Sequence, residues 1–304
     1  MSTHGGRMKI KVVTAVVTLV GYLSYFAWGY FTSPAGDQKV DYVPAIKTCF
    51  NETTPVTWTY CVHIPKNEPI NGDIAYLLHG RNLDENIWND NTFYTSMIQS
   101  YWQKMKVPQP TVITVSFGPL WLLTQKGIQE KSGLLEVFAD HIIPKIEAKV
   151  GQPKRRILFG ESMGGTNALV LGIKRNDLFD KVASLCPGVY KDSLFASSKI
   201  KKDFLNRTGA DPKVIYAITQ FAKDYIANDQ EWNQFSVLKL IESVSNVKTQ
   251  FYLSCGLYDK YGNFEGTEEL ASLVAKKSIG LQWHPQYGGH CSTDIALVAQ
   301  FLVL

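Results

Sequence analysis

The chain lacks a strong net charge. It carries 31 lysines and arginines against 27 aspartates and glutamates. Three of the basic residues, Arg7, Lys9 and Lys11, fall in the first 35 positions, where there is no acid. The remainder holds 28 basic against 27 acidic side chains and is close to neutral. No nucleic-acid partner is expected, because phosphate backbones demand a concentrated basic face. Short runs such as Lys154-Arg155-Arg156 read as solvated loop faces. Histidine is scarce, at six, and cysteine stands at five, an odd number. No two cysteines are spaced as CxxC and no Cys/His cluster has zinc spacing, so no metal is expected. There is no internal repeat and no low-complexity tract.

What is present suits a globular protein. A length of 304 residues with 45% hydrophobic and 12% aromatic content is ample for one large α/β domain. Residues 1–35 read as a targeting segment and 36–304 as the folded domain. The basic stretch Arg7 to Lys11 precedes an uncharged run from Val12 to Phe31, close to the ~20 residues that cross a bilayer. Thr14, Thr18, Gly21, Ser24 and Gly29 keep the run only moderately apolar, and Tyr22, Tyr25, Trp28 and Tyr30 gather at its far end like an interfacial belt. The reading favours an uncleaved anchor with its basic end in the cytoplasm and membrane contact through residues 12–31. A cleaved signal is the alternative. Either puts the folded domain outside the cytoplasm, membrane-anchored or secreted/periplasmic. Cys49 and Cys61 flank the turn-rich Asn51-Glu52-Thr53-Thr54-Pro55. A hairpin there would bring them together for oxidation, and two separate buried thiols remain the alternative.

From residue 48 onward, short apolar runs closed by Gly or Pro alternate with helical patterns, which predicts a mostly parallel sheet covered by helices. The strand candidates are Ile74 to Leu78, Thr111 to Ser116, Arg156 to Phe159, Val182 to Leu185, Gln250 to Ser254 and Leu281 to Trp283. Helical spacing covers Leu134 to Val150, with Pro144 as a kink, and also Met163 to Ile173, Glu268 to Ala275 and Ile295 to Leu304. Residues 188–248 break the rhythm. They are too long for a plain connection and are rich in aromatics, and they read as a cap of two or three helices.

The chemistry centres on Gly160-Glu161-Ser162-Met163-Gly164, a G-x-S-x-G between an apolar strand and a helical pattern. In that context the serine sits on a strained turn with its hydroxyl above the sheet edge, and the glycines keep side chains out of the strand–helix packing. A serine hydroxyl needs a base to take its proton and an acid to orient that base. Only His284 and His290 lie downstream. His290, in the loop Tyr287-Gly288-Gly289-His290 after the last strand, is the base, and His284 is a strand-end histidine. Asp259, in the loop after the strand ending near Ser254, is the acid. Glu265, Glu268 and Glu269 read as the first turn of a helix, where acids suit the dipole. The oxyanion donors are the Met163 amide and the Arg81 amide, the latter just past Leu77-Leu78-His79-Gly80. His79 is assigned no proton transfer.

Tyr76-Leu77-Leu78-His79-Gly80, Ile142-Ile143-Pro144-Lys145-Ile146-Glu147, Gly160-Glu161-Ser162-Met163-Gly164-Gly165, Asp177 to Ser184 and Gly288-Gly289-His290 together resemble the esterase D group of α/β hydrolases. That group includes S-formylglutathione hydrolases, feruloyl esterases and mycolyltransferases. The resemblance spans roughly residues 56 to 304. It implies an α/β-hydrolase fold, hydrolysis of a small-molecule or polymer-attached carboxylic ester through an acyl-enzyme, a Ser162–Asp259–His290 triad, and no cofactor. Cys291-Ser292-Thr293 after the final histidine, and the long insert, depart from the group's pattern and bear on substrate. An acyltransferase on the same triad is the first alternative, and a non-catalytic binding domain the second.

Overall fold

The run Ile74-Ala75-Tyr76-Leu77-Leu78 has almost nothing to send to solvent, so it needs cover on both faces. In the computed structural model, which describes residues 18–21, 40–53, 57–119 and 134–304, it forms most of β3 (Ile70–Leu78) inside an eight-stranded sheet. The other strands are β1 (Ile46–Glu52), β2 (Trp58–Ile64), β4 (Gln109–Ser116), β5 (Arg156–Glu161), β6 (Lys181–Leu185), β7 (Gln250–Gly256) and β8 (Leu281–Gln286). The spatial order is β1-β2-β4-β3-β5-β6-β7-β8. β1, β2 and β4 pair antiparallel, and all pairs from β4–β3 to β7–β8 are parallel. This is the mostly parallel α/β sheet the alternation predicts.

Helices α1 (Tyr94–Met105), α2 (Leu134–Val137), α3 (Ile143–Val150), α4 (Met163–Lys174), α9 (Asn263–Lys276) and α10 (Ile295–Val303) cover the sheet. Between β6 and β7 come α5 (Ser198–Thr208), α6 (Pro212–Ala222), α7 (Asp229–Phe235) and α8 (Val237–Ser243). Successive strand residues point to opposite sides. Ala75 and Leu77 therefore join Phe159, Trp102 and Phe301 in one core, while Tyr76 and Leu78 join Leu158, Phe138 and Leu169 in the other. The first core is locked by α1 against α10, with Trp102 Nε1 donating to the Ala299 carbonyl at 2.8 Å. Burial of one such large apolar side chain contributes roughly 1.5–3 kcal/mol.

Several elements differ from the expectation, each for a physical reason. The pattern of α1 is hidden because Thr95, Ser96, Gln99 and Ser100 face inward beside Ile98 and Trp102. Their side chains are satisfied by backbone oxygens, as in Thr95 Oγ1 to Ile87 O and Gln99 Nε2 to Trp88 O. Pro144 has no N–H for the helix, and the chain makes a π-helical turn at Phe138–Ile142 between α2 and α3 instead of a simple kink. Pro285 does not end β8, because β8 is an edge strand and needs no donor on its outer side. Pro110 lies inside β4, beside the register shift between Ile70 and Ile74 of β3. β1 and β2 form the hairpin, and Cys49 lies directly opposite Cys61 and is bonded to it. The insert at 188–248 holds four short helices rather than two or three. Its chain is cut by caps: the Asp211 carboxylate accepts from Lys213 N–H before α6, and Asn228 caps α7.

The chain divides into compact units at Met1–Val40 and Asp41–Leu304. In the first, residues 18–21 are helical. The rest of the expected 12–31 anchor lies outside the described residues. Among the described residues, no helix is long and apolar enough to cross a membrane.

Candidate active site

Ser162 joins β5 to α4 with φ 50° and ψ −117°, a backbone conformation that side chains rarely adopt. It is held from both sides. The Ser162 N–H donates to Leu185 O at 2.9 Å, and the Thr166 N–H donates to Ser162 O at 2.9 Å. A side chain on Gly164 would collide with the Leu78 carbonyl, and one on Gly160 with the backbone of Gly164, so the elbow closes only with glycine at both positions.

The base and the acid come from the two loops beyond β7 and β8. Those loops are stitched together: Leu257 N–H donates to Gln286 O and Tyr258 N–H to Gly288 O, each at 2.9 Å. The result is a continuous chain of hydrogen bonds. Ser162 Oγ lies 3.0 Å from His290 Nε2, and His290 Nδ1 lies 2.8 Å from Asp259 Oδ2. Asp259 is buried, and its other oxygen accepts the Tyr261 N–H at 2.8 Å. Asn263 Nδ2 stands 3.5 Å from Oδ2, and the Tyr261 ring lies 4.2 Å from the His290 ring. The three residues named from sequence as nucleophile, acid and base are thus brought together.

His284 is elsewhere. Its ring stacks on Tyr252 at 4.8 Å, and burial lowers its pKa. His79 is buried between Gly80 O, 2.7 Å from Nδ1, and Ser116 Oγ, 2.8 Å from Nε2. Desolvation lowers its pKa too, and it braces the turn at Gly80-Arg81-Asn82. Arg81 and Met163, whose amides are the candidate oxyanion donors, both line the cleft at Ser162.

That cleft has a volume of about 180 Å³. One wall is α6, through Val214, Ala217, Ile218 and Phe221, and Tyr190 and Asn263 close other sides. Of the insert aromatics, Tyr190 and Phe221 line this cleft. Phe204, Tyr225 and Trp232 are buried in the core, and Tyr216 is 67% exposed. A larger groove, of about 780 Å³, opens where β5, β6 and β7 begin, but it is polar and lies apart from Ser162.

Three features of the site are missed by sequence reasoning. The first is a second disulfide, Cys186–Cys291, whose members follow β6 and His290 directly. The adjacency of Cys291 to the candidate base is the one sequence signal for it. The two sulfurs and His290 lie within 4.8 Å, but the sulfurs are bonded to each other and both ring nitrogens are engaged, so the trio offers no free donor. The second is Glu161, a buried carboxyl against Gly80 whose pKa is pushed up to about 8 by desolvation. The third is Asn263, four residues beyond Asp259.

Comparison with known proteins agrees with this arrangement at the level of fold. A ferulic acid esterase superposes with a TM-score of 0.59 at 17% identity, over 86% of this chain and 96% of its own. An S-formylglutathione hydrolase from Agrobacterium tumefaciens gives 0.57 at 13%, over 85% and 92%. An arylesterase gives 0.61 at 16%, over 88% and 84%. No curated protein sequence matches the chain. The model of the family described as "Putative esterase" matches residues 53–296, so the chain belongs to that family and is a carboxylic ester hydrolase.

Proposed function

We propose that the chain is a serine esterase with Ser162 as nucleophile, His290 as base and Asp259 as orienting acid. The observation that carries the reading is the unbroken line Ser162 Oγ–His290 Nε2 and His290 Nδ1–Asp259 Oδ2, at 3.0 and 2.8 Å. The Asp259 carboxylate accepts from Nδ1–H, which leaves the Nε2 lone pair for the serine proton. Ser162 Oγ attacks the ester carbonyl as its proton passes to Nε2. The carbonyl oxygen takes the negative charge and is met by the Met163 and Arg81 amides. Collapse expels the alcohol, which receives the proton from Nε2. Water then attacks the acyl-enzyme, gives a proton to Nε2, and releases the acid and the free serine. No metal or organic cofactor is assigned a part.

The four insert helices serve as the cap, with α6 as the wall facing the substrate. The natural ester is a small molecule or is attached to a polymer. Residues 12–31 anchor the chain in a membrane or direct its export, with the catalytic domain outside the cytoplasm. The disulfides Cys49–Cys61 and Cys186–Cys291 support this placement, since such bonds persist in oxidising compartments.

Ser162→Ala, His290→Ala and Asp259→Asn are each expected to remove at least ~10³-fold of kcat on p-nitrophenyl esters, with double variants little worse than single ones. Near-full activity of the His290→Ala enzyme would remove His290 as the base and return attention to His284.

A further inference from the structure

The cleft beside Ser162 is lined by apolar and neutral polar side chains, with one charged exception, Arg81. Among the described residues, no carboxylate lies within ion-pair distance of its guanidinium, although most other arginines of the molecule are so paired, as Arg155 is with Asp73 and Arg156 with Glu147. Arg81 is nonetheless held in place. Its Cζ sits 4.2 Å from the centroid of Phe221 on α6, and Phe221 is itself packed edge-to-face on Tyr225 at 5.2 Å. A guanidinium lying over a ring spends one face on the contact and keeps its in-plane N–H edge, five donors in a fixed fork, for another partner. That edge matches a carboxylate in two parallel hydrogen bonds.

We propose that this site selects esters whose acyl half carries a free carboxylate, half-esters of short dicarboxylic acids, bound by the Arg81 guanidinium. The proposal rests on the reading of Ser162 and His290 as an esterase pair. The reaction sets which half of the ester meets Arg81. His290 Nε2 must return its proton to the departing alkoxide oxygen, so the alcohol half lies on the His290 side, where Tyr261 flanks the ring. The acyl half is left the remaining walls of the cleft, among them α6 and the turn that bears Arg81. With its amide at the oxyanion and its side chain over α6, Arg81 grips the substrate at two points, the carbonyl and the distal carboxylate. The hydrolytic step is unchanged: water is consumed, and a dicarboxylate and an alcohol are released. Short neutral acyl chains fill the same apolar wall but leave the Arg81 edge with water alone.

The test uses the full chain and three esters followed by acid release at constant pH: monoethyl succinate, ethyl pentanoate and O-acetylglycolate, the last with its carboxylate in the alcohol half. At low ionic strength, kcat/KM for monoethyl succinate is expected to exceed that for ethyl pentanoate at least ~tenfold, and the advantage should shrink as salt is added. Arg81→Gln should lower the ratio of the two constants by at least ~tenfold, and Arg81→Lys should restore part of it. Equal constants for the two esters overturn the proposal, as does a ratio that Arg81→Gln leaves alone. A preference for O-acetylglycolate over monoethyl succinate overturns the acyl-side assignment. A fluorophosphonate reports on Ser162 separately. An enzyme that is labelled at Ser162 but does not turn over monoethyl succinate rejects the carboxylate preference. If labelling and turnover of all three esters both fail, the esterase reading falls, and the preference with it.

Discussion

Ser162 occupies a backbone conformation that costs on the order of 1–3 kcal/mol, and the cost is met by its surroundings: the Leu185 carbonyl, the Thr166 N–H and the two flanking glycines. Its neighbour Glu161 points the other way, into the protein. Burial pushes that carboxyl up to about 8 from an ordinary 4.5, so the folded state holds its proton across a pH range where the unfolded chain has released it. Between roughly pH 4.5 and 8 the native state therefore binds more protons at this position than the unfolded state, and the Glu161 contribution to stability falls as pH rises. Buried His63, lowered to about 3 by desolvation, acts in the opposite sense, because the unfolded imidazole takes up a proton below about 6.5. Comparison with Glu161→Gln isolates the acid. The wild type should lose on the order of a few kcal/mol relative to the variant between pH 5 and pH 8 in denaturant unfolding. Parallel stability curves for the two proteins would mean that Glu161 is ionised in the fold.

At the scale of elements, the site is made by loops that secondary structure only positions. The ends of β5, β6, β7 and β8 bring Ser162, Cys186, Asp259 and His290 to one edge of the sheet. The Cys186–Cys291 bond then ties the residue after His290 to the end of β6, next to the Leu185 carbonyl that receives the Ser162 N–H. The span of 105 residues between its ends corresponds to about 4–5 kcal/mol in the chain-entropy view of disulfides. The Cys186→Ala/Cys291→Ala variant is expected to melt at lower temperature and to lose at least ~tenfold in kcat, since displacement of a catalytic base by ~1 Å is costly. A reductant added to the wild type should mimic the loss of kcat. Unchanged kcat in the double variant would mean that the backbone bonds between the two loops hold His290 by themselves. Burial raises the thiol pKa of Cys255 and leaves little thiolate to attack this bond in the folded state.

For the whole molecule, the disulfides and the N-terminal stretch bear on where the esterase works. Two disulfides and a basic, then uncharged, N-terminal stretch argue for the same side of a membrane. Fractionation of a host that makes the full chain should find it with membranes, released by detergent and retained through high salt. Recovery of a soluble exported form starting in the 30s by N-terminal sequencing would replace the anchor with a cleaved signal. Recovery in the cytosol with both disulfides reduced would reject export.

The strand–helix alternation and the glycine-flanked turn at Ser162 were legible along the chain, because period and glycine placement are local properties, and the candidates Ser162, Asp259 and His290 could be named from chain order. The sequence did not reveal α1, whose buried polar face is satisfied by backbone oxygens outside the helix. It left Cys49 and Cys61 open, and it was silent on Cys186–Cys291, whose ends are separated by 105 residues. It marked residues 188–248 as rich in aromatics without sorting them. Only the packing of α6 near the elbow brings Phe221 to the cleft beside Ser162 while Trp232 is buried in the core. From sequence, Arg81 was read for its backbone amide alone. That its side chain lies on Phe221, 140 positions away in the chain, was decided by tertiary structure, because a cation–π contact between loop and cap exists only once both are folded against the same sheet edge.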